Sequence, residues 1–462
     1  MSITEIPRPL GLAAFDFLRA EEEPWLAEVF VPPAGFPLWS GRRSLVLYGE
    51  GGGGKTTVLR MIRHHAPSPI FFVPWQPHFE GNEDPSDPAI WLQKLLQACA
   101  TALRNHLAHQ TGRWDMLPDW ARDFLRGFFH RYREPFWEIE YARLKASLDE
   151  SGQHWLEQVF STSSPAYDIA HFTPVRLLQY MVDIILSAGW QGLWIMADGL
   201  PMWEPEDETT TQRPPWQGLR KLFDYLAFFD QRFFTFKLAV PLSWRASLQN
   251  ASAIRTRRLE EYVLEWTQDE LLAIVNKRLA LATGTERRLE DLGPDCKLPD
   301  WFRRYAGTNP RRWLILARDL LWAYEQAGNR PLTPATWRQL SRRLMPSLHL
   351  KSAEPGVVYV GSHRVELPHS LYQVLAYLYS QDRVCSRDEL YFIAYKALPK
   401  IPRPGEAGWE EPSAWRGVID TVLWRLRHSI EPNPDQPLFI QTVRGQGVKL
   451  TRVRSDREIV VR

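Results

Sequence analysis

The hydrophobic pattern changes character along the chain. Short apolar runs rich in strand formers, at 44–48, 70–74, 193–197 and 236–240, alternate with segments in which apolar residues recur at helical spacing. Those segments cover 58–62, 91–107, much of 117–160, 174–187 and 213–229. Strands alternating with helices predict a mainly parallel sheet covered on both faces. From about residue 246 the strand pattern stops, and amphipathic helices are expected over 264–282, 310–327 and 335–344. The polar stretch 347–356, broken by Pro355 and Gly356, predicts a linker. Beyond it come a strand at 357–360, a helix at 368–380, a helix capped by Ser386 with Glu389 three residues on, a helix at 412–429 and a terminal hairpin. The expected organisation is a core over 1–245 with a helical insertion at about 86–190, a helical subdomain over 246–346, the linker, a compact unit over 357–455 and a tail at 456–462.

Composition narrows the class. With 44% hydrophobic and 24% charged residues among 462, the chain has the make-up of a globular protein, not of a disordered or collagenous one, and the length to build more than one core. The net charge is only +2, yet residues 356–462 hold 15 Lys and Arg against 12 Asp and Glu. The basic excess therefore sits at the C-terminal end, where a phosphate-rich partner would be welcome. Cys99, Cys296 and Cys385 are far apart and lack the spacing of a zinc site or disulfide framework, which favours a reducing, cytoplasmic setting. No apolar run approaches membrane-spanning length and no signal peptide is evident, so no membrane partner is expected.

The chemistry is concentrated in a few motifs. Gly49, Gly54, Lys55 and Thr56 fit a G-x-x-x-x-G-K-T pattern directly after a strand and opening a helix. Glycines, here also Gly51, Gly52 and Gly53, leave backbone N–H groups bare to wrap a polyphosphate, and the helix N-terminus adds partial positive charge. Lys55 would meet the β- and γ-phosphates, Thr56 would offer its hydroxyl to Mg²⁺, and Thr57 would lie near the α-phosphate. Asp198, ending the apolar run 193–197, is the candidate acid for the metal. Asp198-Gly199 also reads as a plain turn at a strand end.

Gly49 to Thr57, Asp198-Gly199-Leu200 and Gly307-Thr-Asn-Pro-Arg311 resemble the phosphate loop, Walker B strand and lid motif of the STAND and related AAA+-like P-loop ATPases, over about residues 10–345. The resemblance implies an α/β P-loop NTPase fold with a helical lid, ATP and Mg²⁺ as cofactors, and self-association when ATP is bound. It also gives Arg245 the sensor position near the γ-phosphate, places Pro310 near the adenine and points Arg311 at the phosphates. The chain departs from the pattern after Asp198: it reads Asp-Gly-Leu-Pro-Met where the family often has Asp-Gly-Leu-Asp-Glu. The acid that orients water for hydrolysis is missing there, so the expectation is a slow ATPase at most; Glu204 and Glu206 are the nearest substitutes.

In the C-terminal unit, helix 412–429 turns Trp415, Val418, Ile419, Val422, Leu423 and Leu426 to one side and leaves Arg416, Asp420, Thr421, Trp424, Arg425 and Arg427 for other faces. Guanidiniums on one helix suit a major groove, although a solvated amphipathic helix carries them too. The stretch 439–450, with Thr-Val-Arg444-Gly-Gln-Gly447, closely resembles the wing of the OmpR/PhoB-type winged helix-turn-helix domain, and the match extends back through Trp424-Arg-Leu-Arg427 and 385–390 to 365–375. The resemblance implies an α+β winged-helix domain in which 412–429 is the recognition helix. Arg416, Thr421, Arg425, Arg427, Arg444 and Lys449 would then meet double-stranded DNA. Acidic residues in the preceding loop, Glu406, Glu410 and Glu411, oppose phosphate approach. The expected function is an ATP-controlled, oligomerising switch that presents its winged helix to DNA, in transcriptional regulation or defence against mobile elements. The alternative is a nucleotide-gated scaffold whose winged helix and insertion recruit a protein effector.

Overall fold

A computed structural model of the chain describes residues 11–15, 23–67, 69–80, 83–133, 136–160, 169–200, 214–344, 348–350, 355–360, 363–381, 383–431, 437 and 439–451. The chain divides into two compact units, residues 19–265 and residues 1–18 with 266–462.

The first unit is built on five strands: β1 (Leu45–Gly49), β2 (Phe71–Trp75), β3 (Leu193–Ala197), β4 (Phe234–Pro241) and β5 (Glu260–Val263). They lie in the order β2-β3-β4-β1-β5, and every pairing is parallel. Parallel neighbours require crossovers, which helices supply here. β1 and β4 are buried at every position, which is why they read as continuous apolar runs. β5 is the departure from the sequence reading, which ended the strands near 246. Its sequence, Glu-Glu-Tyr-Val, is half-buried throughout, as befits an edge strand, and lacks an apolar signature. Its pairing with β1 carries the first unit to residue 265, beyond the boundary at 245 read from the sequence.

Between β2 and β3 runs the helical insertion. Its longest helix, Pro88–His109, starts at Asp87, whose carboxylate accepts the N–H of Ala89 at 2.9 Å. Trp75 of β2 meets Trp91 of this helix and Phe236 of β4 edge-on, with ring centroids 5.8 and 5.5 Å apart. Phe124, Phe128, Phe129 and Trp155 continue the same buried cluster, so these aromatic residues are core. From the middle of β4, the ammonium of fully buried Lys237 donates to the carbonyls of Trp39, Gly41 and Arg43, each at 2.7 Å, and fixes the chain leading into β1.

The second unit begins with helices Gln268–Thr283, Leu298–Tyr305, Pro310–Gln326 and Pro334–Leu344. Thr267 and Glu270 form a capping box at the first. The N-terminal turn Gly11–Phe15 packs with the first and third of these helices, and Arg278 donates to the Ala14 carbonyl at 3.0 Å, so this turn belongs to the second unit. β6 (Leu348–Leu350), β7 (Val357–Val360) and β8 (His363–Glu366) then form an antiparallel sheet. The expected linker at 347–356 thus opens with a paired strand: Leu348 is buried while its neighbours alternate polar, a pattern too short to register. Helix His369–Ser380, the capped turn Arg387–Glu389 with a π-helical continuation Leu390–Tyr395, helix Pro412–Ile430 and the hairpin of β9 (Ile440–Val443) and β10 (Gly447–Leu450) complete the unit around one apolar cluster. Cys385 and Val448 exchange backbone hydrogen bonds of 2.9 and 2.8 Å, which tie the hairpin down.

Candidate nucleotide and nucleic-acid sites

The glycine loop has the predicted form: β1 ends at Gly49 and helix Lys55–His64 begins after Gly54. Gly52 and Gly54 take φ of 75° and 90°, in the left-handed region that favours glycine. A Cβ on Gly53 would lie 3.1 Å from the carbonyl oxygen of Glu50, whose partner in the turn is the N–H of Gly53 itself at the same distance. The Lys55 ammonium donates to the carbonyls of Gly49 and Glu50, both at 2.9 Å, so its charge sits over the loop. Thr56 and Thr57 follow in the first turn, half-buried. Bare amides, a lysine and a threonine at a helix N-terminus make the donor set a polyphosphate with a hard divalent cation requires.

Strand order brings further groups to this edge. β4 lies between β1 and β3, so Asp198, just past β3, is two strand spacings, about 10 Å, from the β1 line. Asp198 is half-buried; its N–H bonds the Trp75 carbonyl at 3.1 Å and its Oδ1 accepts the N–H of Gly199 at 2.8 Å. The turn geometry and a place at the carboxyl edge of the sheet thus coexist at Asp198. Arg245 is exposed and starts a short helix after the turn that follows β4. Its charge acts on the phenol of Tyr48, the residue before Gly49. Burial, with the nearby Glu261 carboxylate, pushes the Tyr48 pKa well up, and Tyr48 donates to Glu261 at 2.9 Å. Tyr48 lies in the run 44–48 read as a strand, but its partner Glu261 escaped the sequence reading because β5 did. Glu204 and Glu206 lie outside the described residues. Pro310 and Arg311 belong to the other unit, where Asn309 caps their helix by accepting the Arg311 N–H at 3.1 Å. Among the described residues, no three His, Cys, Asp or Glu side chains form a metal-binding group by themselves.

In the C-terminal part, helix Pro412–Ile430 buries Trp415, Ile419, Val422, Leu423, Leu426 and Ile430 and exposes Arg416, Thr421 and Arg425. Val418, assigned to the apolar side by spacing, is 36% exposed. The Thr421 hydroxyl donates to the Gly417 carbonyl at 2.7 Å. Arg427 is engaged in the fold: its guanidinium donates to the Ile440 carbonyl at 3.1 and 3.0 Å and to the Thr442 hydroxyl at 2.7 Å. Arg444 is exposed in the hairpin turn, where Gly445 takes φ of 76°, and Lys449 is half-buried on β10. The acidic loop carries its own cations. Glu410 accepts from Tyr391 at 2.7 Å and pairs with Lys396 at 3.1 Å, and these two bonds hold its pKa low. Glu406 pairs with Lys400 at 3.1 Å. The repulsion that the sequence predicts toward phosphate is weakened accordingly.

No protein-family model matches the chain, and no curated protein matches it. Among solved structures, the Aeropyrum pernix Orc1 protein in complex with DNA aligns over 96% of this chain and 93% of its own, at 15% identity and a TM-score of 0.32. A likeness at that level carries no weight for fold or function. No described helix is long and apolar enough to cross a membrane.

Proposed function

We propose that the chain is a nucleotide-controlled switch that binds ATP with Mg²⁺ at the 49–57 loop and couples that state to DNA binding through a C-terminal winged-helix module. The observation that carries the reading is the glycine loop joining a central parallel strand to a helix, with Lys55 held over the loop and Asp198 beyond β4. A bound triphosphate and its cation would supply charge that the loop amides and Lys55 neutralise. In this reading Lys55 exchanges the carbonyls of Gly49 and Glu50 for phosphate oxygens. Thr56 and Asp198 hold the cation or its waters, and Arg245 answers charge near Tyr48. Pro310 and Arg311 belong to the same proposal, as does self-association in the ATP state. No carboxylate follows Asp198-Gly199-Leu200 directly, so slow turnover is expected.

The DNA side rests on helix Pro412–Ile430 and the β9–β10 hairpin, with Arg416, Arg425 and Arg444 exposed on them. Nucleotide binding and particle mass of the wild type and Lys55→Ala, each with and without duplex DNA, test the reading. A second reading, an interaction scaffold that recruits a protein effector through the insertion, draws on Phe136 and Ile139. They are 76% and 53% exposed at and in helix Trp137–Ser147, none of whose residues is buried. Absence of DNA binding at every salt concentration with ATP present would favour it.

A further inference from the structure

Around helix Pro412–Ile430 the residues opposite the buried side are Gly417, Thr421, Trp424 and His428, with Ser413 and Ala414 at the start of the line. Between Ala414 and Thr421 this line has little to offer a base edge by hydrogen bonding. Ala414 and Gly417 have no polar side-chain atoms, and the Thr421 hydroxyl hydrogen is held by the Gly417 carbonyl. Its largest member, Trp424, is 58% exposed, an expensive placement for an indole in water. The ring is also held in place. The His428 imidazole lies against it with centroids 3.8 Å apart, and His428 Nδ1 bonds the Trp424 carbonyl at 2.8 Å, which makes Nδ1 the protonated nitrogen. Val418, 36% exposed, stands on one shoulder of the same face. Charge flanks the apolar strip: Arg425 lies on the Val418 shoulder, and Arg416 lies on the other, with Asp420 drawn off by Arg387 at 2.9 Å.

A strip with an apolar centre and a guanidinium on each side matches a major groove whose walls are phosphates and whose floor presents methyl groups. Thymine is the base that carries one. From Val418 to Trp424 the helix rises about 9 Å, the height of two to three stacked base pairs.

Building on the DNA-binding reading above, we infer that this face selects thymine methyls: Trp424, with Val418 and Thr421, packs on the 5-methyl groups of a short thymine-containing step, while Arg416 and Arg425 grip the flanking backbone. Trp424 is then a specificity-determining residue, and the site read is A·T-rich where this helix lies.

The test uses the full-length chain with ATP and Mg²⁺ to enrich 30-base-pair duplexes from a random pool, after which the best duplex is remade with uracil replacing thymine on both strands. The expected result is a loss of affinity of about fourfold for each methyl buried, with most of that difference vanishing in Trp424→Ala and returning in Trp424→Leu. Equal binding of the thymine and uracil duplexes by the wild type overturns the inference and leaves DNA binding itself standing. So does an equal thymine preference in Trp424→Ala, since Trp424 would then face a protein or solvent. Failure to enrich any duplex by a chain that retains nucleotide overturns the DNA-binding reading, and this inference with it.

Discussion

The phenol of Tyr305, the last residue of helix Leu298–Tyr305, donates to the backbone carbonyl of Glu431 at 3.2 Å, and both residues are buried. Glu431 follows helix Pro412–Ile430, and its carboxylate accepts the N–H groups of Phe439 at 3.0 Å and of Ile440 at 2.5 Å. The Ile440 carbonyl in turn takes Arg427. A short chain of bonds therefore runs from the helices that follow the first unit to the hairpin that carries Arg444.

Tyr305→Phe removes one link and keeps the ring. The expected outcome is a loss of about 1 kcal/mol of stability and a weaker dependence of DNA affinity on nucleotide, with nucleotide affinity unchanged. Denaturant unfolding and DNA titrations with and without ATP check both. An unchanged nucleotide dependence would remove Tyr305 from the coupling.

Arg427 and Arg444 should separate. Arg444 is exposed, so Arg444→Ala is expected to leave the thermal midpoint alone, weaken DNA binding and reduce the slope of log affinity against log salt by about 1. Arg427→Ala frees the Ile440 carbonyl and Thr442 hydroxyl and should lower the midpoint. Salt titrations and thermal melts of the two variants give the comparison.

The Glu389 carboxyl is held below the usual carboxylate range first by the guanidinium of Arg383, then by the Tyr377 hydroxyl at 2.6 Å, against the opposing effect of burial. A carboxyl depressed in the folded state contributes stability that is present above its unfolded pKa of about 4.3 and lost as pH falls through the lower folded value. The C-terminal module should therefore weaken as pH drops below about 4. Glu389→Gln should melt several degrees lower at neutral pH and lose less on acidification than the wild type. Circular dichroism melts at neutral and acid pH measure this.

Much of the first unit was legible because buried parallel strands read as apolar runs closed by glycine or proline. β3 spans 193–197 and helix Pro174–Ser187 falls where the spacing put it. The strand–glycine loop–helix turn at 49–57 was legible because its glycines, Lys55 and Thr56 are contiguous in sequence. β5 was not, because an edge strand shields only part of each side chain and tolerates Glu260 and Glu261. Helical spacing shows that Arg427 leaves the apolar face of its helix; only the hairpin folding back reveals that its guanidinium is engaged. The Tyr305–Glu431 bond joins residues 126 apart and leaves no local trace.

Titration calorimetry of ATP with Mg²⁺ into the purified full chain, wild type beside Lys55→Ala, bears most directly on the account. The wild type should bind and Lys55→Ala should bind about a hundredfold more weakly, the effect of removing a charged hydrogen-bond donor from phosphate, while remaining folded at the temperature of the titration. A folded wild type that takes up no nucleotide, or a Lys55→Ala chain that binds as tightly, would contradict it.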